Sequence, residues 1–157
     1  MRTITISSLD ETKELGLQLA SLVQPGMLIT LTGDLGAGKT TFTKSLGKGI
    51  GVNKVINSPT FNILKIYKGS KMPLYHIDAY RLEGIHQDLG FEEYFESDGL
   101  CVVEWPNFIE DQLPAHRLQI KITIESDENG DKRVFSFEPY GSEYEKIVEA
   151  LKWKPYV

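Results

Sequence analysis

Cysteine is nearly absent from this chain. Cys101 is the one thiol, so no disulfide can form within the chain and a reducing compartment is expected. Its setting, Leu100-Cys101-Val102-Val103, is apolar, which predicts a small buried hydrophobe rather than a reactive group. Arginine is scarce too: Arg2, Arg81, Arg117 and Arg133 are the full set, and no segment concentrates them. Positive charge is not in excess, since the formal net charge is −5 and the isoelectric point about 5.2. Free-standing binding to a nucleic-acid backbone needs a basic face, so the balance argues against that function class. No apolar run approaches the roughly 18 residues of a membrane span, and the N-terminus has no apolar signal segment. The expectation is a cytoplasmic protein with no membrane contact. Repeats, low-complexity tracts and linker-like stretches are missing as well. The 157 residues, 41% apolar and 25% charged, therefore read as one domain with a full core.

What is present starts with Gly33-Asp34-Leu35-Gly36-Ala37-Gly38-Lys39-Thr40, which satisfies the phosphate-loop pattern G-x-x-x-x-G-K-[ST] at every fixed position. Met27-Leu28-Ile29-Thr30-Leu31-Thr32 ahead of it reads as a short apolar strand, and residues 41–50 behind it as a helix. In a strand–loop–helix of this kind, successive backbone N–H groups point into one concavity. The helix N-terminus adds partial positive charge, and together they hold a di- or triphosphate. Gly33, Gly36 and Gly38 allow positive φ and leave no Cβ in the anion's way. Lys39 would reach the β and γ oxygens, and the Thr40 hydroxyl would ligate Mg²⁺. The candidate nucleotide contacts are thus Gly33, Asp34, Leu35, Gly36, Ala37, Gly38, Lys39, Thr40 and Thr41.

Around the loop, residues 2–6 alternate polar and β-branched as an edge strand does. Ser8 with Glu11 fits a capping box, followed by a helix whose buried face carries Leu15, Leu19 and Leu22, with Leu9 before them. Thr12 reads as an exposed first-turn threonine or a contact to the nucleotide base. Past the second helix comes Asn57-Ser58-Pro59-Thr60-Phe61, ordinary turn chemistry or the seat of a switch threonine, Thr60, that senses a γ-phosphate or its metal. A hairpin loop at residues 68–71 joins strands 62–67 and 74–78. The second strand ends at Asp78, at the sheet edge where ligands bind in open α/β folds, and His76 shares its face. His76 is a satisfied core histidine or a functional one, and Arg81 pairs with a phosphate or with Glu83. Leu89, Phe91, Tyr94 and Phe95 have helix-like spacing and read as core. Residues 100–104 form the most apolar strand, as a central parallel strand should, and it ends in Glu104 where aspartate is usual. Asp78 and Glu104 compete for the metal-side role. The apolar run favours Glu104 as Mg²⁺ ligand, directly or through water, with Asp78 orienting the attacking water. Trp105 lines the cleft or packs on a helix. Residues 118–125 and 132–137 make a hairpin turned at Asn129-Gly130, and residues 142–151 a closing helix with Ile147, Val148 and Leu151 inward.

Four motifs occur in one order: GDLGAGKT at 33–40, SPTF at 58–61, HIDAYR at 76–81 and VVEWP ending at Pro106. Jointly they are specific, and over nearly its whole length the chain resembles the TsaE (YjeE) family of small bacterial P-loop ATPases of tRNA threonylcarbamoyladenosine biosynthesis. The expected fold is α/β, a P-loop NTPase-like three-layer sandwich with a central mostly parallel sheet and a C-terminal β-hairpin. The resemblance implies slow hydrolysis of ATP with Mg²⁺. It also implies a TsaD–TsaB heterodimer as partner, which transfers a threonylcarbamoyl group to the adenosine beside the anticodon of tRNAs reading codons that begin with A. TsaC-type enzymes supply the threonylcarbamoyl-adenylate. The family is needed for turnover of the complex, and tRNA is met through it alone. Carried over by position, residues 33–40 bind ATP, and Thr40 and Glu104 hold Mg²⁺. Thr60 is the switch-like threonine, and Asp78 is the acid implicated in hydrolysis. Thr12 and a basic hairpin residue, Lys132 or Arg133, flank the adenine.

Three rivals remain on the sequence. A small-molecule kinase shares the loop but needs a second substrate pocket and arginines over the transferring group, and this chain is arginine-poor. A guanine-nucleotide switch would carry an N/T-K-x-D motif, which is missing. A pure interaction protein would have no need of intact Lys39, Thr40, Asp78 and Glu104.

Overall fold

A computed structural model describes residues 1–34, 37–56, 63–84, 90–128 and 130–153, with the backbone alone for Arg81. Strand β1 (Arg2–Ile6) leads into helix α1 (Leu9–Ala20), which Ser8 caps as its sequence predicts. The Ser8 side chain accepts from the Glu11 N–H, and Glu11 Oε1 takes the N–H of Ser7. Leu15 and Leu19 are fully buried and Leu22 partly so, whereas Leu9, expected with them, is 65% exposed. Six residues separate Leu9 from Leu15, which turns it well off the buried stripe. Helix α2 (Lys39–Gly49) follows strand β2 (Leu28–Gly33) and packs along α1. Glycines set that approach: a Cβ on Gly16 would collide with Ser45, and one on Gly49 with Ala20. Phe42 and Leu46 of α2 are fully buried, and Phe42 meets Phe135 edge-on at 5.1 Å between centroids. Truncating Phe42 to alanine costs about 3–5 kcal/mol at such a site.

The remaining elements are β3 (Leu64–Tyr67), β4 (Leu74–Asp78), β5 (Leu100–Glu104), β6 (Arg117–Asp127), β7 (Gly130–Tyr140) and α3 (Ser142–Ala150). The seven strands form one sheet in the order β1-β7-β6-β2-β5-β4-β3. The centre is parallel, β6 with β2, β2 with β5 and β5 with β4; the flanks are antiparallel, β1 with β7, β7 with β6 and β4 with β3. All five residues of β5 are buried, as the apolar run predicts for a strand covered on both faces. One face carries α1, α2 and α3 over Ile29, Leu31, Val102, Ile120 and Phe135. The opposite face is covered over β2, β5 and β4, with Leu64 of β3 packed alongside, by Leu82, Phe91, Phe95 and Ile109 from short 3₁₀ turns and the segments beside them. Phe91 and Phe95 are core as expected, but the described part of that segment is a single 3₁₀ turn, not an α-helix; Leu89 lies outside the described residues.

The C-terminal hairpin is present, and its register pairs Asp127 with Gly130. Gly130 therefore closes the turn instead of occupying its centre, and Asn129 lies outside the described residues. Trp153 packs partly buried against the core. The Arg2 guanidinium binds the carbonyls of Val148, Leu151 and Trp153, tying the chain's last described turn to its first strand. Among the described residues no helix is long and apolar enough to cross a membrane.

Candidate nucleotide and metal site

Parallel pairing brings three strand ends to one edge of the sheet. Leu31 of β2 lies beside Glu104 of β5, and Glu104 beside Asp78 of β4. Side chains alternate along a strand, so Leu100, Val102 and Glu104 share a face, as do Leu74, His76 and Asp78. Leu100, Val102 and Leu74 belong to the core beneath the helices, so both acids project on the side that α2 covers. The phosphate loop opens two residues beyond Leu31, at the same edge.

Of the three glycines that allow positive φ, Gly38 takes it (φ +104°), Gly33 does not, and Gly36 lies outside the described residues with Leu35. Gly33 ends β2 in extended geometry and is required for another reason: a Cβ there would stand 2.8 Å from the Ile122 carbonyl oxygen. Gly38 turns the chain into α2 as its N-cap with no side-chain hydrogen bond, and the first turn of α2 holds no acidic residue. Helix α1, in contrast, is capped by Ser8 with Asp10 and Glu11 in its first turn. The N–H groups that open α2 thus lack an acceptor from the cap residue, the arrangement that binds a phosphate. The Ala37 N–H closes on the exposed Asp34 carbonyl at 3.0 Å, and Thr40 and Thr41 are half-buried in the first turn.

Lys39 is buried, with Nζ 4.3 Å from the centre of the Trp105 ring. Trp105 itself takes left-handed backbone geometry (φ +57°), stacks on Phe108 and meets Tyr80 at 5.0 Å. Trp105 thus packs against the 3₁₀ helix that follows it, through Phe108, while its ring also meets Lys39. A non-glycine residue in that conformation is strained, and such strain collects at functional sites.

Glu104 is nearly inaccessible, and its Oε2 lies 2.6 Å from Nε2 of an equally buried His76. His76 is therefore bound to the site. Asp78 Oδ1 accepts the Tyr80 N–H at 3.0 Å. Its carboxyl is held above the ordinary aspartate range, first by burial and then by the charge of Glu104, against the lowering pull of the Tyr80 N–H. Burial also pushes the Cys101 thiol up, so it is inert as expected. Among the described residues, no three His, Cys, Asp or Glu side chains converge as a stand-alone metal site. A magnesium ion carried by a nucleotide suits the donors that are present, because Mg²⁺ takes one or two carboxylates from protein and fills its shell with phosphate oxygens and water.

Thr12 is buried, not exposed, and its hydroxyl donates to the Ser8 carbonyl at 3.3 Å. Arg133 pairs in register with Ile6, just ahead of α1, and with Ile124, two residues beyond the Ile122 that pairs with Gly33. It therefore overhangs the edge where the phosphate loop starts, while Lys132 reaches Asp127 at 3.4 Å. Thr60, with Asn57, Ser58, Pro59 and Phe61, lies outside the described residues. The sequence left the His76–Glu104 contact and the Lys39–Trp105 contact unread. The signals were the period-two spacing to Asp78 and an aromatic residue directly after a strand-end acid.

Comparison with known proteins adds the following. The family described as threonylcarbamoyl adenosine biosynthesis protein TsaE matches residues 6–134. The tRNA threonylcarbamoyladenosine biosynthesis protein TsaE of Bacillus subtilis (strain 168) is 48% identical over 142 residues, covering 90% of this chain and 88% of that one. The protein of the same name from Rickettsia felis is 36% identical over 155 residues, covering 97% and 88%. Among solved structures, the crystal structure of Bacillus subtilis YdiB is similar at a TM-score of 0.77 and 40% identity, covering 94% of this chain and 91% of that one.

Proposed function

The chain belongs to the TsaE family of threonylcarbamoyl adenosine biosynthesis proteins, and from that premise we propose that it is a Mg²⁺-dependent ATPase serving tRNA threonylcarbamoyladenosine formation with a TsaD–TsaB complex. The observation that carries the reading is the pairing of an uncapped α2 N-terminus and Lys39 with two register-matched acids, Asp78 and Glu104, at one sheet edge. Backbone N–H groups at residues 38–41 bind the phosphates, and Lys39 leaves the Trp105 face to reach the β and γ oxygens. Thr40 and Glu104 would hold the magnesium, whose charge offsets what develops on the phosphoryl oxygens. Asp78, with its raised carboxyl and its anchoring by the Tyr80 N–H, orients the attacking water. Thr12 and Arg133 border the adenine, and Thr60 senses the γ-phosphate, a role resting on resemblance alone.

In this proposal ATP binding changes affinity for the partner complex and hydrolysis resets it, the cycle being needed for turnover. Phosphate release is to be measured with and without TsaD–TsaB. Free phosphate formed without an added acceptor, and stimulated by the complex, is the expected result. ATP consumed only when a small-molecule acceptor is supplied would make the protein a kinase instead. Equal affinity for the complex with ATP, ADP and no nucleotide would end the switch.

A further inference from the structure

His76 is the one strongly polar group of the strand-end cluster to which the proposed function gives no task. It is 1% exposed on β4, between its register partners Lys65 on β3 and Val102 on β5. A carboxylate oxygen can only accept, so the 2.6 Å contact requires that Nε2 carry the hydrogen and donate it to Glu104 Oε2. Among the described residues Nδ1, also buried, has no hydrogen-bond partner. A hydrogen there would be a buried donor with nothing to bind, so the geometry favours the tautomer with its hydrogen on Nε2.

That tautomer gives His76 a definite effect on Glu104. Glutamate has one more rotatable bond than the aspartate usual at this strand end, so its carboxylate needs a partner to hold one orientation. His76 fixes Oε2, and among the described residues no hydrogen bond takes Oε1. Resting on the Mg²⁺-dependent reading above, we propose that His76 is a positioning residue: its Nε2–H pins Glu104 so that the other carboxylate oxygen meets the nucleotide-bound magnesium. Partners that orient a metal's ligands in this way are typically worth 10–100-fold in metal affinity.

The test uses the whole chain with Mn²⁺ as a magnetic stand-in for Mg²⁺. Mn²⁺ affinity is measured by electron paramagnetic resonance in the presence of ADP, beside nucleotide affinity in EDTA and thermal stability. His76→Leu keeps the bulk without the donor and is expected to weaken Mn²⁺ by about 10-fold or more, with metal-free nucleotide affinity unchanged. His76→Gln offers an N–H near the Nε2 position and should recover most of the loss. An unchanged Mn²⁺ affinity in the folded leucine variant overturns the proposal, and so does equal loss in both variants. Should the leucine variant not fold, ¹⁵N spectra of histidine-labelled wild type decide: hydrogen on Nε2 and a bare Nδ1 support the proposal, the reverse tautomer overturns it. Wild type that binds no Mn²⁺ with nucleotide removes the proposed function and this inference together. Wild type that binds it while the leucine variant binds equally well removes this inference alone.

Discussion

The molecule contains the same histidine–glutamate pair twice in opposite surroundings. At the sheet edge, His76 Nε2 and Glu104 Oε2 are 2.6 Å apart with side chains 1% and 4% exposed. At the corner between β6 and α3, His116 Nδ1 and Glu143 Oε1 are 2.9 Å apart with side chains 67% and 42% exposed. Water surrounds the second pair, so its charges are screened and its members have other partners available. The first pair has no such alternative, and each member is costly to leave alone. Residue types and distances scarcely distinguish the two, but burial makes one a component of the site and the other surface chemistry.

The largest expected effect breaks the buried pair at its acid. Glu104→Ala removes the proposed metal carboxylate and strands His76, so Mg²⁺-dependent phosphate release should fall at least about 100-fold. Denaturant unfolding should show a loss of about 1–3 kcal/mol, the cost of orphaning a buried donor. Normal hydrolysis by this variant would remove Glu104 from the metal site.

Asp78 sharpens the comparison next, because it faces Glu104 across the strand boundary with no cation bonded to it among the described contacts. Its raised carboxyl means that the folded protein binds that proton more tightly than the unfolded chain does. The associated stability is therefore present at low pH and falls as pH rises through the unfolded and then the folded value. Asp78→Asn should lose hydrolysis by about 10²–10⁴-fold yet melt higher than wild type at pH 7 in the absence of nucleotide. That gain should shrink as pH is lowered and wild-type Asp78 takes up its proton. Melting curves across pH check the sign. A variant that melts lower than wild type at pH 7 would show that the carboxylate is not a burden on the apo fold.

What the sequence disclosed follows the range of each interaction. The strand before the glycine-rich motif and the helix after it were readable to within a residue or two, because periodicity and glycine act locally. The apolar run of residues 100–104 announced a central strand, and the acids ending it and the 74–78 strand were readable as strand ends. That Asp78 and Glu104 are direct neighbours was not, since register belongs to the sheet. His76 and Glu104 are 28 residues apart in sequence, and no local pattern records that they touch. Of the two readings of Thr12, the exposed one fails for a similar reason: first-turn polar residues are mostly exposed, but here the neighbouring structure closes over one that has bonded its own turn. At Gly33 the loop pattern picks out the glycine, but the close approach of the Ile122 carbonyl cannot be seen from that pattern.

The smallest expected effect belongs to the exposed pair, and it is the control that gives the others meaning. The Glu143 carboxyl is held below the usual glutamate range, first by its own backbone N–H in the opening turn of α3 and then by His116. A carboxyl lowered in this way contributes stability at neutral pH and loses it as pH falls through the folded value, the reverse of Asp78. Contact with water, however, leaves solvent and salt to replace whatever His116 supplies. Glu143→Ala should therefore hydrolyse ATP at the wild-type rate, bind Mn²⁺ with ADP as wild type does, and melt indistinguishably from it in 1 M salt. A clear drop in Mn²⁺ affinity for Glu143→Ala would mean that removing any histidine-bound glutamate disturbs the site. The contrast drawn from burial would then fail, and the losses in the Glu104 and His76 variants would no longer report on the strand-end cluster itself.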